Sequence, residues 1–166
     1  MKIITFVCLG NICRSPAAQG IAARWANDRG WNDALKFDSA GTANYQVGKP
    51  TDVRMRQAAL ERGYELNFTA KQLTPDLAKG SDWLIAMDRD NLRDIAKFTR
   101  HAFPQVFLLS DFLNEQWPED VPDPYYGGID GFNYVLDMLE AAMPSFFLRA
   151  LQEDENRLNF QTDLED

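Results

Sequence analysis

The chain has 166 residues, of which 45% are hydrophobic, 12% aromatic and 25% charged, a composition typical of one folded domain and not of a disordered chain. Two cysteines and one histidine are too few for a disulfide framework, or for a zinc site built only from Cys and His. The net charge is −8, no basic stripe with interleaved aromatic residues occurs, and no apolar run approaches the ~20 residues of a membrane-spanning helix, so we expect neither a nucleic-acid partner nor a membrane span.

The first predicted elements are a strand and a helix joined by a short loop. Residues 2–7 are mostly β-branched and aromatic, which predicts a buried strand. Residues 17–29 have helical periodicity, with Ser15 predicted as the cap, Pro16 at the first helical position and Gly30 as the stop.

The rest of the chain continues to alternate between strands and helices. Further strands are predicted at 35–39, 83–87 and 106–109. Further helices are predicted at 50–62, from Thr74 onward, at 91–97 and at 133–143, the last interrupted by Pro144. This alternation favours an α/β fold with a parallel sheet and helices on both faces, in which anions bind beyond the carboxyl ends of the strands.

The predicted domain spans residues 1–150, and residues 151–166 form an acidic C-terminal extension. This extension holds six acidic residues against Arg157 alone. Such a composition is typical of a frayed or disordered terminus without chemistry of its own.

The first loop places Cys8 directly after a strand, and Arg14 and Ser15 directly before a helix. Backbone N–H groups of such a loop and the helix N-terminus form a nest for an oxyanion, and both the helix and a guanidinium favour the nucleophilic thiolate. Arg14 offers a planar fork that matches two phosphate oxygens, and Ser15 can donate a hydrogen bond to the sulfur. Gly10 permits close approach of the backbone, and Asn11 tolerates a left-handed conformation. A buried structural cysteine and a surface arginine are the plainer interpretation of the same residues.

Residues 8–16, Cys-Leu-Gly-Asn-Ile-Cys-Arg-Ser-Pro, closely resemble the signature of the low-molecular-weight protein tyrosine phosphatases. Three more segments resemble that family in order and spacing: a second-strand segment at 38–42, a variable loop and helix at 47–54, and a general-acid loop at 123–127. The resemblance covers roughly residues 2–150. It implies a three-layer, flavodoxin-like, doubly wound sheet of four parallel strands, and a phosphatase without metal or cofactor.

The resemblance also implies a role for each site residue. Cys8 would attack phosphorus, Arg14 would hold the phosphate oxygens, and Asp123 would protonate the leaving phenolate and then activate water against the phosphocysteine. The phosphate-binding loop and the support of the thiolate would comprise Leu9, Gly10, Asn11, Ile12, Cys13, Ser15 and Ser39. The walls of a slot for an aromatic ring would be Leu9, Ile12, Tyr45, Tyr125 and Tyr126. A deep slot favours phosphotyrosine, because phosphoserine is too short to reach the sulfur.

The sequence departs from the family pattern beside the loop and leaves other functions open. Phe68 stands where many relatives have a His that bonds the loop asparagine, which puts the bracing of that loop in doubt. One alternative is therefore a catalytically weak phosphotyrosine-binding module; another is a thiol redox protein that uses Cys8 and Cys13. Protein arginine phosphatases have Thr where Ile12 stands, and arsenate reductases of similar fold need cysteines after Cys13, of which there are none.

The expected partners follow from the same resemblance. They are tyrosine-phosphorylated proteins, with inorganic phosphate as a product and a monomer or weak dimer as the working form. The start of the chain is too short for a signal peptide, which favours a cytoplasmic location.

Overall fold

Four parallel strands form one sheet in the order β2-β1-β3-β4, in a computed structural model that describes residues 1–101 and 104–162, with side chains for 1–101 and 104–152. The strands are β1 (Lys2–Cys8), β2 (Leu35–Gly41), β3 (Trp83–Ala86) and β4 (Gln105–Leu108). The α-helices are α1 (Arg14–Arg29), α2 (Val53–Leu60), α3 (Pro75–Lys79), α4 (Arg89–Ile95) and α5 (Ile129–Thr162). Short 3-10 turns occur at Ala96–Phe98 and Leu109–Phe112.

Side chains of β1 alternate between two apolar layers, one on each face of the sheet. Ile4 and Phe6 belong to the larger layer, which also contains buried residues of α1, α2 and α5. Val7 belongs to the smaller layer, which contains buried residues of α3 and α4. This alternation is the period of two that a strand imposes. The predicted α/β fold, with a parallel sheet between two helical layers, is confirmed.

Most predicted elements are present with shifted ends. Asp52 and Thr74 accept hydrogen bonds from the first turns of α2 and α3, and Gly30 and Gly63 take the left-handed conformation where their helices were predicted to stop. Helix α2 itself ends at Leu60, short of the predicted end, and the chain turns before it reaches Gly63.

The predicted interruption at Pro144 is wrong, because α5 continues through this residue. Proline removes one hydrogen bond, to the carbonyl four residues earlier. Pro144 lies on the exposed side of the helix, so water can donate to the carbonyl that has lost its partner. Phe146 and Phe147, just beyond it, are buried against Phe37, which holds the helix on the sheet.

The backbone of α5 remains helical to Thr162, across the predicted boundary between residues 150 and 151. Residues 163–166 lie outside the described part of the chain, and the division into a domain and an extension stays a prediction. Within the described residues, no helix is long and apolar enough to span a bilayer.

Candidate active site

The candidate site is the loop that joins β1 to α1, from Cys8 to Arg14. Asn11 takes the left-handed conformation (φ 58°), as the sequence predicted. The predicted cap of α1 is wrong: Cys13 holds the cap position, no side chain caps the helix, and Ser15 and Pro16 are its second and third residues. Proline fits there because the first N–H groups of a helix have no partner within the helix. The side chain of Ser15 is thereby released to face the loop.

Two hydrogen bonds converge on the sulfur of Cys8. Its Sγ lies 3.0 Å from Ser15 Oγ, and the backbone N–H of Asn11 donates to it over 3.3 Å. The Asn11 amide fixes the direction of the first bond. Its Oδ1 accepts from the Lys71 N–H (3.0 Å), so its Nδ2 must donate to Ser15 Oγ (2.7 Å). Ser15 then has its own hydrogen available for Cys8, an arrangement that stabilises a thiolate.

Asn11 remains braced although Phe68 replaces the histidine expected from the family pattern. Its Oδ1 is held by the Lys71 amide, and the second hydrogen of its Nδ2 reaches Ser39 Oγ over 3.0 Å. Asn11 and Ser39 are both about 3% exposed, so water does not compete for these bonds. The bracing has therefore been replaced and not lost.

Arg14 is a buried cation with one side committed to the protein. Its Nη1 donates to Asp88 Oδ2 (2.6 Å) and to the carbonyl of Val121 (2.9 Å). Its Nη2 and Nε have no hydrogen-bond partner among the described residues, and they form the edge that can grip two phosphate oxygens. Burial by itself lowers the pKa of Arg14, but attraction to Cys8 and the bond to Asp88 outweigh it and raise the pKa, so this side chain stays charged.

Asp123 reaches the same place from the loop that precedes α5. Its Oδ2 lies 3.7 Å from Arg14 Nη2, and its Oδ1 accepts from the Tyr125 N–H over 3.1 Å. The Asp123 side chain is 41% exposed, whereas that of Arg14 is 3% exposed. The carboxyl therefore stands at the solvent side of the cation, where it can contact both a leaving group and water.

These groups line one pocket of about 130 Å³. Its lining includes Cys8, Arg14 and Asp123 together with all five predicted wall residues, Leu9, Ile12, Tyr45, Tyr125 and Tyr126. Cys8 is 3% exposed, whereas Tyr45 and Tyr126 are 71% and 94% exposed. The pocket thus leads from an aromatic rim at the surface to a buried sulfur.

Cys13 also lines the pocket, but its chemistry differs from that of Cys8. Burial, with the nearby negative charges of Asp52 and Cys8, raises the pKa of Cys13 well above its usual range. Its thiol is therefore neutral near pH 7 and a poor nucleophile.

Sequence reasoning missed two side chains that support this site from outside the loop. Asp88 binds Arg14, and Gln19 accepts a hydrogen bond from Ser39 Oγ over 2.6 Å. A signal existed for each. Asp88 comes just after β3, which lies next to β1, so the carboxyl ends of the two strands meet at the same edge of the sheet. Gln19 lies four residues after Ser15 on the same face of α1.

Comparison with known proteins identifies relatives over most of the chain. The family model for low molecular weight phosphotyrosine protein phosphatase matches residues 3–157. A Synechocystis protein provisionally named as a low molecular weight protein-tyrosine-phosphatase is 42% identical over 144 residues, covering 86% of this chain and 91% of the relative. The crystal structure of a protein tyrosine phosphatase from Entamoeba histolytica, with Hepes in its active site, superposes with a TM-score of 0.87, at 35% identity over 93% of this chain and 99% of that one. A Drosophila arginine phosphatase superposes with a TM-score of 0.83, at 28% identity over 90% and 97% of the two chains.

Proposed function

This chain belongs to the low molecular weight phosphotyrosine protein phosphatase family, and from that premise we propose that it hydrolyses protein phosphotyrosine through a phosphocysteine intermediate. One observation carries the proposal. A sulfur that accepts two hydrogen bonds, a buried guanidinium with a free edge and a carboxyl 3.7 Å from that guanidinium all line one pocket. Nucleophile, phosphate clamp and general acid are the groups that this reaction needs.

The first step transfers the phosphoryl group to sulfur. The free edge of Arg14 and the N–H groups of the loop hold the phosphate oxygens, and the Cys8 thiolate attacks phosphorus in line. The bond to the phenolic oxygen breaks as the S–P bond forms, and Asp123 gives its proton to that oxygen. The products of this step are a phenol and phosphocysteine.

The second step returns the enzyme to its starting state. The Asp123 carboxylate takes a proton from water as the water oxygen attacks phosphorus. The S–P bond breaks, inorganic phosphate leaves, and the electron pair returns to the sulfur as a thiolate, which Ser15 stabilises by its hydrogen bond. The same two hydrogen bonds that hold the nucleophile therefore also assist its departure.

The walls of the pocket support phosphotyrosine as the substrate class. Cys8 is almost fully buried beneath a rim that contains Tyr45 and Tyr126, so a long, flat side chain reaches the sulfur better than a short one. The fold is shared with an arginine phosphatase and does not decide between the two substrates. Ile12 supports the aromatic substrate, because an apolar side chain offers no hydrogen bond to a guanidino group.

The test is hydrolysis of para-nitrophenyl phosphate and of a phosphotyrosine peptide, with EDTA present. We expect turnover by the wild type, and loss of at least about three orders of magnitude in kcat for Cys8→Ser and for Arg14→Ala. Asp123→Ala should lose more activity on phosphotyrosine than on para-nitrophenyl phosphate, whose leaving group needs less help from an acid. Asp130→Ala is the matched control, since Asp130 is an exposed residue in the first turn of α5.

Each competing function predicts a different result. A binding module would retain phosphotyrosine peptide without turnover, and a thiol redox protein would show thiol-dependent activity that Cys13→Ser abolishes. Equal loss on both substrates for Asp123→Ala would contradict its role as the general acid. A wild type that cleaves phosphoarginine faster than phosphotyrosine would overturn the proposed substrate class.

A further inference from the structure

Gln19 lies outside the predicted site, yet its side chain ends the chain of hydrogen bonds that reaches Cys8. Ser39 Oγ donates to Gln19 Oε1 over 2.6 Å and accepts from Asn11, which also donates to Ser15. We propose that Gln19 is a positioning residue: it sets the direction of these hydrogen bonds and so supports the one that Ser15 donates to Cys8. The inference rests on the proposed function only in taking Cys8 as the nucleophile.

The orientation of the Gln19 amide is fixed by its second contact. Its Nε2 donates to the carbonyl of Phe37 over 3.4 Å, and a carbonyl can only accept. Oε1 must therefore face Ser39, whose single hydrogen points at it. Because its hydrogen points at Gln19, Ser39 has only lone pairs to offer Asn11. Asn11 can then donate to both Ser39 and Ser15, which leaves the hydrogen of Ser15 available for Cys8.

Loss of the Gln19 acceptor would remove the constraint on the direction of the Ser39 hydrogen. The hydroxyl of Ser39 is buried, so its hydrogen would have lost its acceptor, and each orientation that brings this hydrogen towards Asn11 Nδ2 places a donor against a donor. Asn11 cannot relieve the conflict by turning its amide over, because Oδ1 holds the Lys71 N–H. The bond from Asn11 to Ser15 would weaken, and with it the support of the thiolate.

Helix α1 is placed so that it can provide the acceptor for Ser39. Ser15 and Gln19 lie one turn apart on the same face, and β2 runs beside β1, so Ser39 lies opposite Phe6 in the register. The helix and the strand thus meet the loop from two sides. Neither Gln19 nor any of the three residues that link it to the sulfur ionises near neutral pH, so the support does not depend on a titrating group.

The experiment compares Gln19→Met, which keeps the length but removes the acceptor, with Gln19→Glu, which keeps an acceptor oxygen. The control is Gln57→Met, an exposed glutamine on α2. We would measure kcat on para-nitrophenyl phosphate, the thermal midpoint, and the alkylation rate of Cys8 by iodoacetamide as a function of pH, with the modified residue identified by mass spectrometry. Cys13 should not interfere, because its buried thiol stays neutral.

For Gln19→Met we expect a fall in kcat of about three- to tenfold, as for loss of one buried hydrogen bond, and an alkylation profile that moves to higher pH. Gln19→Glu keeps the acceptor for Ser39 but sets an oxygen against the Phe37 carbonyl, so it should lose less activity than Gln19→Met, and in a Ser39→Ala background Gln19→Met should add no further loss. Unchanged kcat and profile in Gln19→Met, or a full additional loss in the Ser39→Ala background, would overturn the proposal. So would a lowered thermal midpoint with an unchanged profile. The alkylation profile decides this even if the wild type proves inactive as a phosphatase.

Discussion

Replacing Gly41 with alanine should displace the phosphate-binding loop without changing any residue of that loop. A Cβ atom at Gly41 would lie 2.6 Å from the carbonyl oxygen of Leu9, 3.1 Å from the carbonyl carbon of Gly10 and 3.2 Å from the nitrogen of Asn11. All three are backbone atoms, so no side chain can rotate away to make room. The backbone of Gly41 is not in the left-handed region, and the effect is steric alone.

Strand β2 is held by hydrogen bonds at Gly41, so we expect the phosphate-binding loop to move instead. The Gly41 N–H donates to the Lys71 carbonyl (2.9 Å), its carbonyl accepts from the Leu73 N–H (2.7 Å), and it pairs with Cys8 in the sheet. Restoring an ordinary contact of 3.4 Å moves the Leu9 oxygen by about 0.8 Å. We expect overpacking to cost about 1–3 kcal/mol in the free energy of unfolding. A displacement of this size at the reacting centre should lower kcat/KM by about ten- to a hundredfold.

The assay is hydrolysis of para-nitrophenyl phosphate together with thermal unfolding, for Gly41→Ala and for Gly80→Ala. Gly80 is the matched control, because a Cβ atom there would meet its nearest neighbour, the Asp76 carbonyl oxygen, at an ordinary 3.4 Å. The control should keep wild-type kcat/KM. If Gly41→Ala also retained it, the loop would be more pliable than its hydrogen bonds indicate and this reasoning would be wrong.

Three further predictions test the acid, the second cysteine and the start of α2. The profile of kcat/KM against pH should be bell-shaped on the acid side of neutrality, and Asp123→Asn should remove its falling limb; a limb that persists would show that another group titrates. Peroxide-inactivated wild type should recover activity with dithiothreitol through a Cys8–Cys13 disulfide, whereas Cys13→Ser should recover much less; equal recovery would make Cys13 a packing residue only. Asp52→Ala should lose about 1 kcal/mol of unfolding free energy with the cap of α2, and Asp52→Asn much less, by chemical denaturation. Burial opposes ionisation of Asp52, but hydrogen bonds from Arg54 outweigh it and hold its pKa below the usual range, so the charge-dependent part of this contribution is complete at pH 7 and is lost only as the pH falls below the ordinary range for Asp.

The elements of the fold were predictable because their signals are local. The strand pattern at 2–7 and the helix stop at Gly30 depend on residues adjacent in sequence, and both are present in the structure. The two errors concern cases where side-chain contacts in the folded structure override the helix signals of the sequence. Pro144 does not break α5, because the buried aromatic residues beyond it hold the helix, and Ser15 does not cap α1, because its hydroxyl is taken by the loop.

The candidate site divides in the same way. The residues from Cys8 to Ser15 are contiguous, so their chemistry can be inferred from their spacing. Asp88 lies 74 residues from Arg14, and the bond between them depends on β3 lying next to β1, which no local pattern reveals. Gln19 is near in sequence, but its role depends on Ser39, on another strand. The candidate phosphate-binding residues were therefore predictable, whereas Asp88 and Gln19, two side chains that hold them in place, were not.

The two carboxyl groups beside Arg14 explain how one cation can serve both a resting and a loaded site. Asp88 is the fixed partner: it lies 2.6 Å from Nη1, is 18% exposed and also caps α4 through the Asn91 N–H. Asp123 is the displaceable one, at 3.7 Å and 41% exposed. In the proposed mechanism, a phosphate dianion that binds Nη2 and Nε of Arg14 would take the place of Asp123 beside that edge, which releases this carboxyl for its role as the general acid. The proposed roles of Asp123, first as acid and then as base, therefore need one displaceable carboxyl beside a cation that Asp88 holds in place.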